Sequence, residues 1–321
     1  MNILRMISMT AVFSVCSLAL SAKTPVKGYP QAPDAAVRYI ANELSDSNGL
    51  VLWDALPATY QAEISDLAHR ASEKIDAQNY ERAFSLIGQI ARILESKGEF
   101  ILNTKLGGGL PEEELPNFQA ALPLMGSLLD DLSSSTLATH TGLREFNGDA
   151  FGQSVSSFLR FMDAATTLDP KQAFFLSSLS DLEVKVVRQE AKSATLQTTL
   201  PGGEPMIENY TLVEGRWLPQ SFIKQWQEGI ANANTSLQLL STEQMQTNQA
   251  QAAMILGLLE GVVAKIDSSE TQESFDRALQ SAVMPMMGIL MMSGQSVINP
   301  SSSAAPAAAP ETKLPLQDSV K

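Results

Sequence analysis

Apolar positions in the first third of the chain recur at three- and four-residue intervals, the spacing of one face of an α-helix. Val37, Ile40, Ala41 and Leu44 form the first stripe, which follows a proline-containing lead-in and stops at Ser45 to Gly49. After Leu50 to Leu56 and the breaker Pro57, a second stripe runs through Tyr60, Ile64, Leu67, Ala71 and Ile75. Proline suits a helix start, where its missing N–H would have no intrahelical partner. A third helix is expected over Asn79 to Ser96, with Tyr80, Phe84, Ile87, Ala91 and Leu94 on one side and Leu86, Ile90 and Ile93 on another. Apolar residues on two sides predict burial on two sides. No stable period of about 20 to 50 residues recurs, so a compact bundle is expected rather than a repeat array. Gly107 to Gly109 and Pro111 then read as a connector, followed by Glu112 to Glu114 at the start of a helix, where negative charge complements exposed amides. Further helices are predicted over Phe118 to Leu132 and Phe151 to Ala165.

The pattern then alternates. Leu182, Val184 and Val186 are separated by Glu183 and Lys185, and Ala194, Leu196, Thr198 and Leu200 by Thr195, Gln197 and Thr199. Alternation of this kind predicts half-buried strands. Pro201-Gly202-Gly203 marks a turn before Ile207 to Val213, and Glu214-Gly215 a tight hairpin into Arg216-Trp217-Leu218, because glycine accepts the positive φ such turns need. The result is an antiparallel meander of three or four strands, ended by Pro219. A helix follows with Phe222, Ile223, Trp226 and Ile230 in a stripe behind a Ser221 cap. Strand and helix lie within a few residues of each other, so Trp217 is expected to face Phe222 and Trp226.

The run Val213-Glu214-Gly215-Arg216-Trp217-Leu218-Pro219 and the helix carrying Trp226 resemble bacterial extracytoplasmic proteins of uncharacterised function. Some of these have a curved sheet similar to the nuclear-transport-factor-2-like fold. The resemblance covers residues 180–230 and departs from that fold, which places its helices before a longer, more strongly bent sheet. It implies no catalytic residue.

Beyond the sheet, Ser241-Thr242-Glu243-Gln244 has capping-box spacing, and Ser269 to Gln272 has it again. Each opens one arm of a helical hairpin, Ala252 to Ile266 and Phe275 to Ile298. Gly257 and Gly261 in the first arm would admit a close helix neighbour. The fold class is therefore α+β, predominantly α-helical: a helical region (31–175), the meander plus helix (176–240) and a Met-rich hairpin (241–298). The tail, 299–321, is rich in serine, alanine and proline and is expected to be disordered.

Charge and the N-terminus narrow the setting. Arg5 precedes the apolar run Met9 to Leu20, which ends in Ala19, Ser21 and Ala22, the pattern of a cleavable secretory signal over 1–22. A periplasmic or secreted protein follows, without a lipid on Cys16, since Val15 replaces the small residue that lipidation expects before the cysteine. Cys16 is the only cysteine, so cleavage would leave a chain with no thiol chemistry. The net charge is −13, or −14 once Arg5 is lost, which opposes nucleic acid and anionic lipid as partners. No later segment reaches roughly 18 unbroken apolar residues, so no transmembrane segment is expected in the mature chain.

Candidate chemistry is sparse. His69 could join Asp66 and Glu73 across one helix face but reads as part of a solvated surface, and His140 reads as a loop histidine. Asp130 and Asp131 are adjacent, and adjacent helical side chains point apart. Three glycines at 107–109 lack the lysine and the preceding strand of a phosphate loop. Met284, Met287 and Met291 could present thioethers to a cuprous ion from one helix face, against the reading that they fill a core or a partner groove. Trp217, Trp226 and Phe222 are possible ligand or partner contacts, against a sheet-to-helix core. The sequence thus points to a non-catalytic envelope binding protein with no cofactor and an unidentified envelope partner or ligand. A carboxylate-dependent hydrolase of envelope polymers, needing two acids about 5 to 10 Å apart in a cleft, is one alternative. Cuprous ion handling is the other.

Overall fold

The computed structural model describes residues 28–104, 114–166 and 176–282. Helix α1, Pro33–Ser45, begins with its proline at the first turn, and α2, Leu50–Asp54, follows after a tight turn in which Ser47 takes positive φ. Helix α3, Ala58–Ser72, starts behind Pro57, and the last member of its predicted stripe, Ile75, falls beyond its end and is exposed. In α4, Ala77–Ser96, the Asp76 carboxylate caps the helix by accepting from the Asn79 amide, satisfying one of the donors that a helix start leaves bare. Short α5, Gly98–Asn103, leads to α6, Leu115–Ser134, α7, His140–Arg144, and α8, Gly148–Thr166. Helix α4 packs against α6 on one side and α10 on another, which is the two-sided burial its apolar pattern predicts.

The alternating segments form a four-stranded antiparallel meander in sequential order: β1 Glu183–Gln189, β2 Ser193–Thr199, β3 Met206–Val213 and β4 Arg216–Pro219. The β1–β2 register shifts between Val186 and Arg188. Glu214 and Gly215 both take positive φ, as a two-residue primed hairpin turn requires. Helix α9, Gln220–Leu239, leaves directly from β4, α10 spans Thr242–Asp267, and residues 272–282 form α11.

Three cores hold these parts together. One face of the sheet, with Val184, Ala194, Leu196, Tyr210 and Trp217, is covered by Ala36, Val37 and Ile40 of α1. A second core joins Trp53, Ile64, Phe151, Val155 and Leu159 of the helical region to Leu218, Phe222 and Trp226. The helical region and the meander therefore share an interior. The third packs Val263 and Ile266 of α10 and Phe275 of α11 against Leu86 and Ile93 of α4.

Several local expectations are corrected. Trp217 is buried but does not face Phe222 and Trp226. Successive strand residues point to opposite faces, so Leu218 takes that side, while Trp217 turns to α1 and donates its indole N–H to the Gln31 carbonyl at 2.8 Å. Ser221 does not cap α9, whose first turn follows Pro219; its hydroxyl bonds Glu208 of β3 instead. Ser241 and Gln244 form the predicted capping box of α10. The cap of α11 lies two residues later than expected, where Thr271 and Ser274 exchange side-chain to backbone bonds. Ser269 instead donates to the Lys265 carbonyl at the end of α10. Among the described residues a Cβ on Gly261 would meet nothing within 4 Å and one on Gly257 only the end of Arg82 at 3.8 Å, while the expected second arm beyond residue 282 lies outside them. Toward α4, α10 turns Val263 and Ile266. By length and composition α10 could cross a membrane, although Glu260 within it is paired with Arg82 of α4.

Candidate binding cleft

The α1–α2 turn and α8 touch as closely as backbone permits. A Cβ on Gly49 would lie 2.6 Å from the Ser156 amide nitrogen, and one on Gly152 would lie 2.8 Å from the Leu50 Cβ, so larger residues at either place would force the two apart. The Gly49 N–H donates to Ser156 Oγ at 2.8 Å and fixes the junction. Because α6 also packs along α8, its last turn stands beside this junction, and an open cleft of about 660 Å³ lies between the three segments. That volume falls within the usual range for small-molecule sites.

The wall from α8 carries Gln153, Ser154, Ser156, Ser157 and Arg160, with Asp149 at its start. The wall from α6 carries Asp131, Ser134 and Ser135, and the α1–α2 turn adds Asn48. Leu50 and Leu132 are the apolar members. Hydrogen bonds sort the hydroxyls into two kinds. Ser134, Ser135 and Ser154 donate to the carbonyls of Asp131, Leu132 and Ala150, so they turn lone pairs outward. Ser156 and Ser157 accept, from the Gly49 amide and the Arg160 guanidinium, and keep their own protons to give. Arg160 also reaches Asp131 at 3.2 Å and ties the two walls together. Nearby Asp54 has its carboxyl raised above the usual carboxylate range, chiefly by burial; Arg216 opposes the shift, and Asp149 and Glu43 add to it.

The residues singled out from sequence lie mostly elsewhere. Trp226 and Phe222 are interior: Trp226 stacks on Tyr60 at 4.6 Å between centroids and donates to Glu63, clasping α9 to α3. With Trp217, also buried, they fill cores and do not line the cleft. His140 is not a loop histidine. It opens α7, its Nε2 lies 2.9 Å from the Ser72 carbonyl, and its ring meets Tyr80 edge-on. His69 is half exposed and lies 3.6 Å from Glu73, while Asp66 pairs with Arg70. Of the adjacent acids, Asp131 is in the cleft and Asp130 is not. Met284, Met287 and Met291, like Gly107 to Gly109 and the leader, lie outside the described residues. Among those described, no group of three or more His, Cys, Asp or Glu is placed to hold a metal ion.

Sequence reasoning missed Asn48, Gln153 and the cleft serines because they come from three segments far apart in the chain. The available signal was Gly152 and Ser156, small residues four apart on α8, which mark a face where another segment can approach closely. No family model, curated protein or solved structure matches this chain.

Proposed function

We propose that this chain is a non-catalytic binding protein of the cell envelope, exported by the signal pattern of residues 1–22, and that it holds its ligand in the cleft between α6, α8 and the α1–α2 turn. The observation that carries this reading is a cleft lined with serine hydroxyls and an amide, Gln153, in which neither histidine takes part. A serine is a weak nucleophile without an adjacent general base, and both histidines are engaged at other places.

One observation favours a second reading. Asp131 and Asp149 line the same cleft, and a carboxylate-dependent hydrolase needs two acids in one cleft. Against it, Asp131 is committed to Arg160. The deciding experiment incubates the purified chain with a periplasmic small-molecule extract, then identifies retained and altered molecules by mass spectrometry. Binding predicts stoichiometric retention of an unaltered compound, lost when Gln153→Trp fills the cleft. Turnover that stops in Asp149→Asn would establish the hydrolase instead.

A further inference from the structure

We infer that the cleft takes a neutral oligosaccharide, an assignment that rests on its being the ligand seat. A sugar hydroxyl donates and accepts at once, so a saccharide needs both kinds of partner along its length. The cleft supplies both. Ser134, Ser135 and Ser154 donate to helix carbonyls and present their lone pairs to the cleft. Ser156 and Ser157 accept a hydrogen bond from a neighbouring N–H and keep their own O–H to donate. Gln153, exposed on the same wall, carries an amide with both functions, and Arg160 has further N–H groups beyond those spent on Asp131 and Ser157.

Leu50 and Leu132 are small apolar patches within this polar lining, suited to the C–H face of a pyranose ring rather than to a lipid or a large aromatic group. Charge narrows the class further. Arg160, the one cation lining the cleft among the described residues, is already paired with Asp131, and the chain's net charge is −13, which disfavours anionic sugars and phosphates. At about 660 Å³, the cleft has room for a short oligosaccharide rather than one hexose.

The test titrates the full chain with maltotriose, cellotriose, chitotriose, the anionic trigalacturonate and the peptide trialanine, following affinity by calorimetry and location by hydrogen exchange. At least one neutral trisaccharide should bind and slow exchange at 48–50 and 153–160, with trigalacturonate at least tenfold weaker. Gln153→Ala, at an exposed helical position that leaves folding intact, should weaken binding by up to about tenfold, the worth of one good hydrogen bond. Gln153→Trp should abolish it. If trialanine protects those amides and no sugar does, the saccharide assignment is wrong and the cleft remains the seat. If trigalacturonate binds as well as the neutral sugars, the inference of neutrality fails. A sugar that protects a different surface and ignores both variants would overturn the assignment and the proposed seat together, and so would an absence of protection by every probe.

Discussion

The hydroxyl of Tyr29 is buried with no hydrogen-bond partner among the described residues, and the face of its ring carries the Arg216 guanidinium 4.1 Å from its centroid. Burial pushes its phenol up to about 12, and does the same to Tyr210 in the same core. The sign of the consequence is fixed. Both phenols keep their protons in the folded chain at pH values where the unfolded chain loses them, so the stability present below about pH 10 is lost as the pH rises toward 12. Each phenol removes roughly 2 kcal/mol by pH 12. Tyr29→Phe discards an unpartnered hydroxyl and keeps the ring under Arg216, so it should match the parent at pH 7 and exceed it near pH 11. Denaturant melts at the two pH values decide this, and an equal alkaline loss in both proteins would refute it.

Helix α10 shows what governs an element that is apolar on most sides. It is seated on α4 by Val263 and Ile266 and by a two-pronged bond in which Arg82 donates to both Glu260 oxygens at 2.9 and 2.7 Å. The bond from Arg82 holds the Glu260 carboxyl below the usual carboxylate range. Its contribution is therefore present at neutral pH and lost as the pH falls through the folded value. Glu260→Gln should lower amide protection across α10 at pH 7, and the difference from the parent should shrink as the pH falls through the folded value. Unchanged protection at pH 7 would remove the pair from the account. Elements of this kind were legible in the sequence, since helical and alternating periods, the Ser241 box and the Glu214-Gly215 turn are all local signals. The side on which Trp217 lies was not, because it depends on which strand face each helix covers. The cleft was not either. Its walls come from residues 48–50, 131–135 and 149–160, and only packing brings them together.

At the scale of the whole molecule, the three cores differ in reach. The core around Trp53 draws residues from α2, α3, α8, β4 and α9, so it binds the helical region to the sheet. The core around Phe275 draws on α4, α10 and α11 and, among the described residues, shares no buried side chain with the other two. Opening of a folded chain follows such contiguous units, and a unit with fewer attachments opens at lower free energy. Truncating a buried ring costs roughly 3 to 5 kcal/mol wherever it lies, but the cost should spread differently. Phe275→Ala should speed exchange in α10 and α11 while β1 to β4 keep their protection, because the hairpin can detach and leave the sheet and its α1 cover intact. Trp53→Ala should lower protection in the sheet and in α3 and α8 alike, and lower the main melting temperature. Residue-resolved hydrogen exchange on both variants tests the division. If Phe275→Ala exposes the sheet as fully as Trp53→Ala does, the chain unfolds as one unit and the contact between α4 and α10 couples the hairpin to everything else.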